Sequence, residues 1–136
     1  MFVRIYTDGA SRGNPGKSAS GYSLSDSKGK PIYKNTEYNG ITTNNVAEYN
    51  AVINALRKVI DRMGPDNDVE LFSDSKLIVS QINGTYRIKD SKLKELNSEV
   101  MVLLGKFKSY SVKNVPRENS GIVAVDRELN LFLDRI

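Results

Sequence analysis

Four acidic residues of this 136-residue chain occupy positions from which carboxylates could act together on one ligand. Asp8 and Asp74 each follow a segment typical of a strand, and open α/β sheets bind ligands beyond the carboxyl ends of their strands. Glu48 lies one turn into an amphipathic helical pattern, and Asp126 lies in an apolar segment near the C-terminus. Taken singly, each also has an ordinary structural interpretation, as a turn residue, a helix cap or a carboxylate facing a helix dipole.

A cluster of carboxylates indicates a divalent cation. Neighbouring carboxylates repel one another, so each carboxyl group releases its proton less readily unless a cation neutralises the charge. The chain has no His and no Cys, which excludes disulfides, Ser-His-Asp triads, Cys nucleophiles and zinc sites with the usual ligands. Oxygen ligands favour Mg²⁺. Two such ions roughly 4 Å apart can activate a water and stabilise the leaving oxygen of a phosphodiester. The residue types therefore predict two-metal hydrolysis of a polyanion, and the net charge of +4 weakly supports this substrate class.

The hydrophobic pattern predicts an α/β fold in the order βββ–α–β–α–α–β–α, with a mixed sheet covered by helices in three layers. A tight loop, Gly9–Lys17, is predicted after the first strand because it contains three Gly, a Pro and an Asn. The predicted strands are Phe2–Thr7, Gly21–Ser25, Pro31–Tyr38, Val69–Ser73 and Ser109–Val115. The predicted helices are Asn45–Met63, Lys76–Ile82, Ser91–Leu104 and about Ser120–Leu133.

The pattern shows no linker or repeat, so we expect one domain over residues 1–136. The N-terminus has no apolar segment of a signal peptide. The longest apolar run, Val100–Leu104, is far shorter than the roughly 20 residues of a membrane span. We therefore expect a soluble, cytoplasmic protein.

Four motifs resemble, in order, the successive motifs of type 1 ribonuclease H. They are YTDGASRGNPG (Tyr6–Gly16), TTNNVAEYNAVINAL (Thr42–Leu56), LFSDSKLIVSQING (Leu71–Gly84) and VPREN (Val115–Asn119). The resemblance implies the ribonuclease H-like fold, in which a three-stranded antiparallel meander and two parallel strands form a five-stranded mixed sheet flanked by helices. It also implies an endonuclease that cuts the RNA strand of RNA/DNA hybrids and leaves 5′-phosphate and 3′-hydroxyl ends.

The same resemblance implies two Mg²⁺ ions, with Mn²⁺ as a possible substitute, held by four carboxylates. Asp8 would bridge both ions, Glu48 and Asp74 would complete the ion near the leaving oxygen, and Asp126 would hold the ion that activates water. The partner would be the hybrid alone, bound by a monomer that has no separate hybrid-binding domain and no obligate protein partner. The implied substrate contacts are Arg12, Gly13, Asn14, Thr42, Thr43, Asn44 and Asn45.

Two features depart from the common family pattern. Many bacterial members carry a His in the loop before the last Asp, whereas here Arg117 of the VPREN segment occupies that region. In this the chain resembles the VPRE-type archaeal and bacterial branch of the family, which implies that Arg117 replaces the His. Asp126 follows Pro116 at a longer spacing than the family pattern, so Asp134 stays open as an alternative fourth carboxylate.

Two other functions remain as alternatives. The first is a different metal nuclease of the same superfamily, such as an exonuclease or an integrase-like enzyme, although the GNPG loop and the TTNN segment argue against it. The second is a non-catalytic module that binds hybrids, although the presence of all four carboxylates argues against it.

Overall fold

A computed structural model describes residues 1–136 and contains one five-stranded sheet with strand order β3-β2-β1-β4-β5. The strands are β1 (Phe2–Gly13), β2 (Gly16–Asp26), β3 (Pro31–Thr42), β4 (Asp68–Ser73) and β5 (Ser109–Asn114). The first three form an antiparallel meander, while β4 pairs in parallel with both β1 and β5. The predicted mixed sheet is therefore confirmed.

Four helices cover the two faces of the sheet: α1 (Asn44–Met63), α2 (Lys76–Ile82), α3 (Ser91–Leu104) and α4 (Ser120–Asp134). One core joins the sheet to α1, α2 and α3, and includes Tyr22 and Leu24 of β2. Ala19 of β2 lies on the opposite face, where it packs against Leu129 and Leu133 of α4. The three-layer arrangement is confirmed. None of the four helices combines the length and the hydrophobicity that a membrane-spanning helix requires.

The helix boundaries follow local capping groups. The hydroxyl of Thr43 accepts a hydrogen bond from the amide N–H of Val46 and caps α1, which begins one residue earlier than predicted. Ser75 caps α2 by accepting from the N–H of Ile78. The predicted bounds of α2 and α3 are confirmed to the residue.

The predicted tight loop Gly9–Lys17 is wrong. β1 continues to Gly13 and β2 starts at Gly16, so a two-residue turn joins the two strands. The composition is typical of a loop, but two of the three glycines are needed where other backbone segments pack closely. A Cβ on Gly9 would overlap α1, and a Cβ on Gly16 would overlap the backbone of Arg12. β3 likewise extends to Thr42, beyond the predicted end at Tyr38, because it pairs with the longer β2.

Candidate active site

The parallel pairing of β1 and β4 places Asp8 beside Asp74. The last residue pair of this ladder is Tyr6 with Phe72, and each aspartate lies two residues further along its strand direction. Asp8 therefore lies within the extended β1, where it pairs with Gly21 of β2, and Asp74 lies just beyond the end of β4. This is the edge of the sheet at which open α/β folds bind ligands.

Glu48 reaches the same place because α1 packs directly on the backbone of β1. A Cβ on Gly9 would lie 2.5 Å from both the carbonyl oxygen of Ala47 and the amide nitrogen of Glu48, so only glycine permits this approach. The amide N–H of Gly9 donates to Oε1 of Glu48 and to Oδ1 of Asp8, at 3.0 Å in each case. Carboxylate oxygens of Asp8, Glu48 and Asp74 all lie within 4.8 Å of one another.

Burial raises the pKa of the carboxyl groups in this cluster. Asp8 is 6% exposed and Glu48 is 8% exposed. Burial raises the pKa of Asp8 to about 7; the hydrogen bond with Glu48 opposes this, and the charge of Asp74 adds to it. The pKa of Glu48 is raised well above its ordinary value, first by burial and then by the charge of Asp8.

Arg117 is a basic residue whose positive charge affects the pKa of Asp74. Burial raises the pKa of the Asp74 carboxyl, and the positive charge of Arg117 opposes that rise. Asp74 is not the cap of α2, because Ser75 fills that position. Glu48 is not a first-turn carboxylate either, since the first turn of α1 contains no acidic residue. These two structural interpretations are therefore wrong.

The three carboxylates fit a divalent cation. Oε2 of Glu48 is buried and has no hydrogen-bond partner within the protein. A buried carboxylate oxygen without a donor is costly, and a cation bound among the three side chains removes that cost. The ligand set contains only oxygen, which suits hard ions such as Mg²⁺.

Asp126 lies on α4, outside the three-carboxylate group but close enough for its charge to raise the pKa of both Asp8 and Asp74. Helix α4 is capped by Asn119 and approaches the sheet closely at Gly121, where a Cβ would overlap the ring of Tyr6. Asp134 lies two turns further on and is 61% exposed, with its carboxylate on Arg12. The structure therefore places Asp126, and not Asp134, beside the cluster.

Two of the predicted substrate contacts, Asn14 and Asn44, form a polar network with Ser11 at the start of α1. The amide N–H of Asn44 donates to the side-chain oxygen of Asn14 at 3.1 Å. The side-chain oxygen of Asn44 accepts from the N–H and the hydroxyl of Ser11, at 2.7 and 3.0 Å. Gly13 adopts a φ of 103° where β1 turns into β2. Thr42, Thr43 and Asn45 lie where β3 passes into α1, beside this network.

Ser11 was not among the predicted contacts, and no pattern in the sequence distinguishes it from an ordinary hairpin serine. Arg12 points instead to α4, where it bonds with Asn130 and Asp134. A contact between residues so distant along the chain leaves no periodic signal in the sequence.

A five-stranded sheet in this order, with the carboxylates of Asp8, Glu48 and Asp74 gathered beside its neighbouring parallel strands β1 and β4, defines a ribonuclease H-like domain. A sequence model described as "Reverse transcriptase-like" matches residues 6–125, and the chain belongs to that family.

Three comparisons confirm the predicted resemblance to type 1 ribonuclease H. Ribonuclease HI of Halobacterium salinarum is 40% identical over 115 residues, which are 85% of this chain and 57% of that protein. The chain thus spans little more than half of that relative. The crystal structure of RNase H1 from the same archaeon matches with a TM-score of 0.93 and 34% identity over all of both chains. LC11-RNase H1, crystallised in complex with an RNA/DNA hybrid, matches with a TM-score of 0.84 and 35% identity, covering 96% of this chain and 99% of that one.

Proposed function

We propose that residues 1–136 form a divalent-metal-dependent ribonuclease H. It hydrolyses the RNA strand of RNA/DNA hybrids at internal positions and leaves 5′-phosphate and 3′-hydroxyl ends. The observation that carries this proposal is the convergence of Asp8, Glu48 and Asp74 within 4.8 Å, in a fold that a hybrid-bound relative shares over nearly its whole length.

Mg²⁺ is the proposed ion, with Mn²⁺ as a substitute, because every candidate ligand is a carboxylate oxygen. Asp8, Glu48 and Asp74 would hold one ion, and Asp8 with Asp126 would hold the second. When bound, the two ions supply an activated water and charge stabilisation for the leaving 3′ oxygen. The high pKa of Asp8 and of Glu48 means that cation binding displaces protons from these carboxyls, so binding is favoured as pH rises.

Residues near the proposed ion site would contribute in different ways. The amide N–H of Gly9 orients the carboxylates of Asp8 and Glu48 by donating to both. Arg117 favours the charged form of Asp74 and would stand where other family members carry a His. Its charge would also attract the phosphodiester toward the cluster.

Asn44 would contact the hybrid through its amide nitrogen. Its side-chain oxygen is already bonded to Ser11, so only the NH₂ group remains to donate. Donors of this kind match the acceptors that bases and 2′-hydroxyls display in the minor groove. Arg12, Gly13, Asn14 and Asn45 would border the same groove, and Thr42 or Thr43 would help hold a phosphate of the DNA strand.

A cleavage assay with internally labelled RNA tests the function. We expect Mg²⁺-dependent cleavage of the hybrid into fragments of several lengths, with no cleavage in EDTA. Release of mononucleotides alone would identify an exonuclease. Hybrid binding without cleavage would identify a binding module.

The enzyme is proposed to act as a cytoplasmic monomer with no obligate protein partner. Sedimentation of the protein with a short hybrid tests the stoichiometry, for which one chain per site is expected. Fractionation of cells that express the chain tests the location.

A further inference from the structure

Helix α4 holds the side chain of Arg12 through one nitrogen. Nη2 of Arg12 donates to Oδ1 of Asp134 at 2.9 Å, to Oδ1 of Asn130 at 3.3 Å and to the carbonyl oxygen of Asn130 at 3.4 Å. All three acceptors come from the last two turns of α4, whereas Arg12 lies at the end of β1. The contact therefore ties the tip of the β1–β2 hairpin to the C-terminal half of α4.

The same stripe of α4 carries the fourth carboxylate. Asp126, Asn130 and Asp134 are spaced four residues apart and so share one face of the helix. The side-chain nitrogen of Asn130 donates to the backbone carbonyl of Asp126 at 3.0 Å. Asn130 thus bonds both to Arg12 and to the backbone of Asp126. Asp134 lies eight positions beyond Asp126, which is roughly 12 Å along the helix, so the ion pair of Arg12 with Asp134 lies away from the carboxylate cluster.

The remaining donors of Arg12 are free. Its Nε and Nη1 make no hydrogen bond within the protein, and the side chain is 46% exposed. A guanidinium held at one nitrogen still presents N–H groups to an oxyanion. Ordering a long side chain before binding removes part of the entropy cost that a free arginine would incur. The ion pair with Asp134 therefore orients Arg12 without using up its donors.

We propose that Asp134 and Asn130 are positioning residues that hold Arg12 in place for a backbone phosphate of the substrate. This inference rests on the proposed function, and it assigns Asp134 to substrate affinity and not to metal binding.

The test compares Asp134→Asn with Glu128→Gln. Glu128 is also an exposed carboxylate of α4, but it pairs with Lys34 at 3.5 Å on a different face, so both variants remove one negative charge from the same helix. Asp134→Asn should raise the KM for an RNA/DNA hybrid about two- to fivefold relative to Glu128→Gln, as expected for an oriented surface pair. The kcat should stay the same, and Asp134→Glu should restore the wild-type KM.

A second set of variants tests Arg12 itself. Arg12→Ala should weaken binding and reduce the slope of log affinity against log salt concentration by about 1, as for one lost phosphate contact. In the Arg12→Ala background, Asp134→Asn should change KM no more than Glu128→Gln does. An additional loss in that background would overturn the inference.

Binding in EDTA, measured by fluorescence anisotropy of a labelled hybrid, separates this inference from the proposed function. Wild-type protein that binds the hybrid but does not cleave it with Mg²⁺ contradicts the function, while the Kd series still tests Asp134. An affinity of Asp134→Asn for the hybrid that equals or exceeds that of Glu128→Gln would overturn the inference. Asp134 would then have no effect on substrate binding, or would compete with the phosphate for Arg12.

Discussion

Asp8 and Glu48 share one hydrogen-bond donor: the amide N–H of Gly9 lies 3.0 Å from a carboxylate oxygen of each. The two acids come from β1 and α1, and they meet because Gly9 lets the helix backbone approach the strand. One N–H cannot compensate two buried negative charges. Burial and the neighbouring charge therefore raise the pKa of each acid, so the pair holds protons more tightly than free carboxyls do.

Gly9→Ala should separate α1 from β1. The added methyl group would meet the backbone of Ala47 and Glu48, which cannot move aside as a flexible side chain can. We expect a loss of about 1–3 kcal/mol in the free energy of unfolding, as for overpacking, together with loss of Mg²⁺-dependent cleavage. Gly105→Ala is the matched control, because its new Cβ would lie no closer than 3.4 Å to other atoms. Equal stability of the two variants by urea denaturation would contradict this packing.

The metal-free protein should lose stability as pH rises from about 4 to about 7. The pKa of Asp8 is raised from its ordinary 3.8 to about 7. In this window the unfolded chain has released the proton and the folded chain still holds it, so the free energy of unfolding falls with increasing pH. Urea denaturation in EDTA across the window measures the slope, and Asp8→Asn should reduce it, with the raised pKa of Glu48 contributing the remainder. Saturating Mg²⁺ should also reduce the slope. A free energy of unfolding that increases with pH through this window in EDTA would contradict the raised pKa of Asp8.

Asp74→Asn should abolish cleavage and leave the metal-free fold at neutral pH equally or more stable, by ~1 kcal/mol. The substitution removes a charge that raises the pKa of Asp8 and leaves the α2 cap, Ser75, intact. Asp66→Asn applies the same chemical change to an exposed residue between α1 and β4, and it should preserve cleavage. Thermal denaturation in EDTA provides the comparison. A large destabilisation by Asp74→Asn alone would mean that Asp74 is structural.

Arg117→Ala should move the acid limb of the pH–activity profile to higher pH. The positive charge of Arg117 opposes the rise in the Asp74 pKa, so without it this ligand becomes charged only at higher pH. Arg117→Lys keeps the positive charge, so its acid limb should stay close to that of the wild type. Profiles measured at low ionic strength provide the test, because salt screens exposed charges. An unchanged limb in Arg117→Ala would exclude this electrostatic effect.

Local patterns in the sequence were sufficient to predict most of the architecture. The apolar spacing of α1 and the capping positions of α2 and α3 depend on neighbouring residues, so their bounds were predicted closely. The motifs also predicted the meeting of Asp8, Glu48 and Asp74, which the parallel register of β1 and β4 brings about. The role of these residues in metal binding stays a prediction.

The wrong predictions concern features that depend on tertiary contacts. The local composition predicts a loop at Gly9, whereas Gly9 packs against α1, and nothing near it in the sequence indicates that neighbour. The contact between Arg12 and Asp134 joins residues 122 positions apart. Asp134 was an alternative metal ligand on sequence spacing alone, and only the orientation of α4 shows that its carboxylate faces Arg12.

Cleavage of an RNA/DNA hybrid by wild type, Asp126→Asn and Asp134→Asn at saturating substrate is the most direct test of the four-carboxylate centre. Wild type should give internal cuts with 5′-phosphate ends in Mg²⁺ and none in EDTA, Asp126→Asn should be inactive, and Asp134→Asn should cleave. An active Asp126→Asn with an inactive Asp134→Asn would contradict the assignment of the fourth carboxylate, and absence of cleavage by wild type would contradict the proposed function.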